Sequence, residues 1–553
     1  LTRATRALAA LEKTKNDYGG GRAVRKLALL DVLDRARLAT ARQVERLHEV
    51  LCFLRAYPDD ARVAARAGRM LRRFARRPDL RPHRAALADS GIAGTTIRYR
   101  FFWPTARWLA HRWPAQFRLN RDDGEAEDNI AGALPLLVTP AEAQWLRERA
   151  PAGYAALDAL RGRATDATFL VRAIESMPGD TFTRESLYDG LDPSCELVPG
   201  PDTPSRTLAV HVNAPTVFRT GPLRRGRPIL REEIRRAPRG VRTLAPAEGL
   251  QVVELARGAM ITRKRDLDAF AYGDARDVRI VDDGDGLAFA LIGVVPERRT
   301  LLPAIYGALT LQNGVPVGYS QIDAIAGTAA ISFNAFPTFR GGEAAHTFAR
   351  LLALARHLLG ATSYSIEPYQ LGVGNEEGIE SGAWWFYWKM GFRPRAAQAR
   401  RIARTELARM RSNPRHRSSP ATLRKLAGWH LLFDAEPARG RGLPPGAALG
   451  ARAAALMARR SGADRSAALE EASQRLMRLA GLRSLQGFTP GERLAWRRWS
   501  PLALALPGVS RWSTAERRAL GRVVRAKGGR RESDFAALFD AHPKLVRALF
   551  AVR

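Results

Sequence analysis

The sequence predicts an α/β protein: a mixed sheet core, formed by an antiparallel meander and a βαβ unit, with large helical extensions at both ends. Three observations predict it. Residues 306–336 carry short apolar runs separated by two-residue turns, as strands paired in succession do. Residues 344–359 change to a 3.6-residue apolar period and stop at Gly360, after which 362–367 returns to strand character. On both flanks the helical period prevails. The organisation expected is a helical segment 1–110, a mostly helical segment 111–205 with an acidic loop and a Pro/Gly linker, the α/β core 206–395, and an Arg-rich helical segment 396–553. At roughly 100–200 residues per domain, 553 residues suit such a division.

In chain order, the clearest N-terminal helix follows Pro58-Asp59-Asp60, where either Asp can cap it. Val63, Ala67, Met70 and Phe74 form its apolar stripe. Arg62, Arg66, Arg69, Arg73 and Arg76 form a second stripe, either a solvated edge or a phosphate-contacting face. Asp122, Asp123, Glu125, Glu127 and Asp128 lack the spacing of a calcium loop and read as a solvated turn. Pro193 to Pro204 reads as a linker. Thr207 to Val212, Gln251 to Ala256 and Leu287 to Val294 read as strands, with a hairpin turn at 282–286.

In the meander, Ala308 to Gln312 turns through Asn313-Gly314 into Val315 to Ile322, because both central positions of that turn need φ > 0. After Gly327-Thr328, Ala329 to Phe336 is the third strand. The helix Ala344 to Leu359 follows, then a strand Thr362 to Glu367, a Gly-rich loop with Asn375, and an aromatic helix Ala383 to Met390. Beyond it a helix ends at Asn413-Pro414, and later helices break near Gly440 to Gly446, Pro490 and Pro507.

Composition excludes several classes. The apolar runs are too short for a transmembrane segment. No secretory signal is visible, and only Cys52 and Cys195 are present, which fits a reducing cytoplasm and excludes a disulfide scaffold or a Cys-rich zinc site. No metal is expected. The formal net charge of +34 is uneven: residues 1–285 carry +12, 286–392 carry −1, and 393–553 carry +23. Only eight of the basic residues are Lys, so the Arg excess also fits the composition of a GC-rich bacterial-like genome.

A strand that feeds a Gly-bearing turn into a helix offers unpaired N–H groups and a partial positive charge to an anion. Here that turn is Phe339-Arg340-Gly341-Gly342-Glu343. Pro337-x-Phe339-Arg340-Gly341 and Ala383-x-x-Phe386-Tyr387-x-Lys389-x-Gly391-Phe392, about 45 residues apart, resemble the GNAT (acyl-CoA N-acyltransferase) superfamily over residues 285–395. The resemblance implies a GNAT-like sheet and an acyl-CoA, such as acetyl-CoA, as acyl donor to an amine. It implies that Arg340, Gly341, Gly342, Ala344 and Ala345 receive the CoA diphosphate. Backbone N–H groups of Asn334, Ala335 and Phe336 would polarise the thioester carbonyl, Asn375 would contact the pantetheine, and Tyr387 would reprotonate the leaving thiolate. Glu343 stands where the family usually has Gly, and a carboxylate beside a diphosphate is repulsive unless it points away.

An amine nucleophile must lose a proton, so a base is needed. Asp323, Glu367, Glu376 and Glu377 are candidates, with Glu367 first because it ends the strand beside the thioester. Two rival functions keep other partners open. On the same fold the donor could be an aminoacyl-tRNA. Alternatively, a non-catalytic regulatory chain would bind RNA, DNA or another polyanion through Arg66, Arg73, Arg400, Arg404 and Arg411. Trp496, Trp499 and Trp512 lie among Arg497, Arg498 and Arg511, which suits base stacking or cation–π pairs within a bundle.

Overall fold

A computed structural model describes every residue except 1, 20, 150, 152, 437–444 and 553. It is a mixed α/β protein with a large mixed sheet and many helices. The chain divides into two compact units. The first comprises Leu1–Pro222, Gln251–Tyr272 and Gln312–Pro316; the second comprises Leu223–Leu250, Gly273–Leu311 and Val317–Arg553. Most of the expected Gly440 to Gly446 break lies outside the described residues.

The first unit is mainly helical. Asp60 caps the helix Ala61–Arg72 by accepting from the amides of Arg62 (2.8 Å) and Val63 (3.2 Å), and Val63, Ala67 and Met70 are buried. The unit also holds a three-stranded antiparallel sheet of β1 (Ile97–Tyr99), β2 (Phe117–Leu119) and β3 (Cys195–Leu197), with β3 in the centre. The segment expected as a linker is therefore a central strand at Cys195–Leu197, where both end residues are buried. Two further expectations fail. Thr207 to Val212 is not a strand, and Gln251 to Ala256 lies inside the helix Pro246–Ile261. Val252, Val253, Ala256, Ala259 and Met260 are buried at helical spacing, a period that a six-residue window cannot reveal. In the acidic loop, Asp123 and Glu125 accept from Arg100 at 2.7 and 3.0 Å, and Glu127 accepts from the Tyr154 amide.

Among the described residues the larger sheet has nine strands, which belong to the second unit except for the hairpin tip Gln312–Pro316: β4 (Gly240–Thr243), β5 (Gly273–Gly284), β6 (Leu287–Val294), β7 (Ala304–Gln312), β8 (Val315–Ile325), β9 (Thr328–Ala335), β10 (Ser363–Ile366), β11 (Arg393–Pro394) and β12 (Leu431–Asp434). The sheet order is β11-β12-β10-β9-β8-β7-β6-β5-β4. The β8–β9 pair is antiparallel, β9–β10 is parallel, and β10–β12 and β12–β11 are antiparallel. Turn chemistry sets the register. Asp285-Gly286, Asn313-Gly314 and Ala326-Gly327 all have positive φ at both positions, as two-residue hairpin turns require.

The helix Ala344–Leu359 covers one sheet face, where Phe348, Leu351, Leu352 and Ala355 join Ile322, Ile331 and Tyr364 in the core. Gly360 ends it at φ 71°. Its Arg350 is fully buried and donates to both oxygens of Asp283 at 2.7 to 2.9 Å. Trp496 and Trp499 are buried too, donating to the carbonyls of Ser473 (3.3 Å) and Leu301 (2.6 Å). Trp512 is also in the core, so these three rings are closed to base stacking.

Candidate functional site at the β9–β10 opening

The parallel ladder between β9 and β10 is short. Thr328, Ala329 and Ala330 pair with Ser363, Tyr364 and Ser365. β9 then runs on to Ala335 while β10 stops at Ile366, so the strands part. Two prolines set these ends, since Pro337 and Pro368 each open a short helix where the strand finishes. Aromatic packing fills one face below the gap: Phe333 stacks on Phe386 with ring centres 6.3 Å apart and tilts against Phe348 at 5.4 Å.

Backbone alternation decides which groups of β9 face the gap. The Phe336 amide donates to the Val317 carbonyl at 2.9 Å, so it is turned toward β8. Asn334, two residues earlier and opposite Tyr319, has the same orientation, whereas Phe333 and Ala335 face the other way. Of the three amides expected to polarise a thioester, only that of Ala335 points into the opening. The Asn334 side-chain oxygen is buried with no hydrogen-bond partner among the described residues.

The turn after β9 leads to the N-terminus of the helix Ala344–Leu359. The Gly342 amide is used inside the turn, donating to the Phe339 carbonyl at 2.8 Å. The first intrahelical bond shown runs from the Thr347 amide to the Glu343 carbonyl at 2.8 Å, so the Ala344 and Ala345 amides precede the helical ladder. A side chain on Gly341 would meet nothing within 4 Å. Arg340 is exposed, donates through Nε to the Ala335 carbonyl at 3.2 Å, and pairs with Glu377. Glu343 is buried and turned aside, with Oε1 accepting from the Arg224 amide at 2.8 Å. Arg224 also donates to His346 Nε2 at 3.0 Å, and burial together with that guanidinium lowers the imidazole's pKa. Arg224 carries no periodic or motif signal, and sequence reasoning missed it.

The candidate bases separate clearly. Glu367 is exposed at the N-cap position of the short helix Pro368–Leu371 without a side-chain capping bond, Glu376 pairs with Arg424 at 2.9 Å, and Glu377 pairs with Arg340. Asp323 is different. It lies on the sheet face opposite the helix, its Oδ1 accepts from Gln321 Nε2 at 2.9 Å, and burial pushes its carboxyl up to about 7, with Glu367 adding to the rise. A base works best with a pKa near the working pH, which makes Asp323 a candidate beside Glu367; it stands opposite Ala330, five residues along β9 from Ala335. Asn375 does not reach for a ligand: its amide accepts from the Gly378 amide and donates to the Tyr369 carbonyl at 3.1 Å.

Tyr387 is buried among Phe348, Phe386 and Phe392, and burial raises its pKa well above the usual phenol range. Among the described residues its hydroxyl has no hydrogen-bond partner. Trp384 and Trp385 on the same helix are core residues.

The anion-contact residues fall into two groups. Arg66 is held by Asp31 and by Asp34 at 3.0 Å, which removes it from the candidates. Arg73, Arg400, Arg404 and Arg411 are exposed. Among the described residues no cluster of three or more His, Cys, Asp or Glu could hold a metal ion, and no helix is long and apolar enough to cross a membrane. No family model, curated protein or solved structure matches this chain.

Proposed function

We propose that the chain is a GNAT-like acyltransferase that moves an acyl group from a CoA thioester to an amine at the β9–β10 opening. The observation that carries this reading is the parting of two parallel strands directly before a helix N-terminus. An extended thioester arm can pair with the unpartnered edge of β9 while its diphosphate meets the Ala344 and Ala345 amides. The diversion of Glu343 to the Arg224 amide removes the repulsion its position would otherwise create. Asp323 stands opposite Ala330, five residues (~16 Å) along β9 from Ala335, so the proton of the incoming ammonium reaches it through water; the amine nitrogen then attacks the thioester carbon and the Ala335 amide stabilises the oxyanion. The C–S bond then breaks and the thiolate is protonated from solvent, while the Tyr387 hydroxyl, which its raised pKa keeps protonated, donates a hydrogen bond to the departing sulfur. The products are an amide and a free thiol.

CoA should raise the melting temperature of the full chain, and labelled acetyl-CoA should transfer label to an amine acceptor. No thermal shift at millimolar CoA rejects the reading.

A second reading, polyanion binding, is favoured by Arg400, Arg404 and Arg411. They share one exposed face of the helix Ala397–Ser412 and have no acidic partner among the described residues. Affinity for duplex DNA should fall with salt at a log–log slope of about −0.9 per phosphate contact. An absence of binding at ~50 mM salt rejects it.

A further inference from the structure

Three helices of the second unit, Gly446–Ser461, Arg465–Ala480 and Pro490–Ala505, pack on one another. With the loop 506–510 they flank a cavity of about 750 Å³ that is open to solvent. Helical spacing aims its lining. Arg452, Leu456 and Arg459 lie at i, i+4 and i+7 of the first helix, and Arg475, Arg478 and Leu479 at i, i+3 and i+4 of the second. Four guanidinium groups from two helices thus meet one cavity, and no acidic side chain among the described residues lines it.

Arg452, Arg459 and Arg478 are exposed and Arg475 is half-buried, so like charge gathers at one opening. Arg475 and Arg478 are like charges one turn apart, which opposes helix formation. Arg452, Arg459 and Arg478 have no ion-pair partner among the described residues. Glu471 lies 4.0 Å from Arg475 Nη1, and that same Nη1 is buried without a hydrogen-bond partner among the described residues. Among buried arginines elsewhere in the unit, Arg350 holds Asp283 and Arg299 donates to four backbone carbonyls, whereas Arg279 leaves Nε and Nη2 without a hydrogen-bond partner among the described residues.

We propose that this cavity binds a small organic phosphate, with two or more phosphoryl groups gripped by the arginines and an apolar or aromatic body against the leucines. Guanidinium forks match phosphate oxygens geometrically, and the cavity has the size of a small-ligand site. The site is separate from the β9–β10 opening and does not depend on the acyltransferase reading.

Isothermal titration of the full chain at ~50 mM salt tests it, with ADP as probe and pyrophosphate and adenosine as its two halves. ADP should bind at least about tenfold more tightly than either half. Arg452→Ala, an exposed position, and the double variant Arg475→Met with Arg478→Ala should each weaken ADP by about tenfold or more. Arg522→Ala, exposed and outside the cavity, should change it by less than about twofold. No ADP binding at millimolar concentration, indifference to Arg452→Ala, an equal loss from Arg522→Ala, or pyrophosphate binding as tightly as ADP overturns the proposal. Displacement of ADP by an equimolar single-stranded oligonucleotide also overturns it, because the pocket would then serve a polymer.

Discussion

Residues 286–392 and residues 393–553 treat charge in opposite ways. The first segment is nearly neutral, and its charged side chains are largely committed: Arg350 to Asp283, Arg340 to Glu377, Glu343 to the Arg224 amide. The second carries +23, and Arg400, Arg404, Arg411, Arg452, Arg459 and Arg478 have no acidic partner among the described residues. Charge and reactivity separate accordingly. The unpartnered cations mark where an anion would be met, while two groups of raised pKa lie in the neutral segment: Tyr387, fully packed among aromatic rings, and Asp323, half-buried on the sheet with Glu367 adding to its rise.

The hardest test of that separation is Asp323→Asn. If Asp323 is the base, acyl transfer rises with pH through about 7, and the variant loses this limb together with about 10²–10⁴ in kcat. A pH profile that survives the substitution would return the role to Glu367. Stability supplies an independent reading. The folded carboxyl keeps its proton to about 7, whereas an unfolded Asp releases it near 4, so the native state loses stability as pH rises between those values. Asp323→Asn removes that loss, and its melting temperature relative to the parent should be higher at pH 8 than at pH 4.

Committed and unpartnered arginines should also differ in what they do for the fold. Arg350→Met leaves the Asp283 carboxylate buried and unpaired, which should cost about 3–5 kcal/mol in chemical denaturation. Arg404→Met, on an exposed face, should stay within about 0.5 kcal/mol of the parent. Equal losses would mean that Arg404 has a structural partner after all.

Local signals made the meander and its helix legible. Asn313-Gly314 sets its turn regardless of the rest of the chain, and Gly360 stops its helix for a reason internal to the backbone. The failures are non-local. Gln251 to Ala256 is β-compatible in isolation and is helical because sixteen residues share one period. Cys195–Leu197 sits among prolines and is a strand because β1 and β2 supply partners about 75–100 residues away in the chain. The resemblance directs attention to the turn and to Tyr387, yet spacing could not show that Glu343 is diverted by Arg224. Nor could it show that Asn375 is used by its own loop, or that burial distinguishes Asp323 from three other carboxylates.

Tyr387→Phe separates chemistry from packing. The ring contacts with Phe348, Phe386 and Phe392 survive, and only a hydroxyl without a partner among the described residues is lost. Turnover should fall by about 10–100-fold with CoA affinity and melting temperature little changed. A drop in melting temperature with unchanged turnover would make the residue part of the core alone.

The smallest expected effect bears on how the neutral segment admits an anion. Arg340 is the one cation on the turn that leads to the helix N-terminus, and Glu377 holds it. A diphosphate arriving at the Ala344 and Ala345 amides would compete with that carboxylate and feel its charge. Both terms oppose binding, and both vanish in Glu377→Gln. CoA should therefore bind the variant about 3–10-fold more tightly by calorimetry, the scale of one partly exposed ion pair, and the gain should shrink as salt rises. If affinity falls instead, Glu377 is the residue that orients Arg340 toward the diphosphate, and the pair belongs to the binding site rather than competing with it.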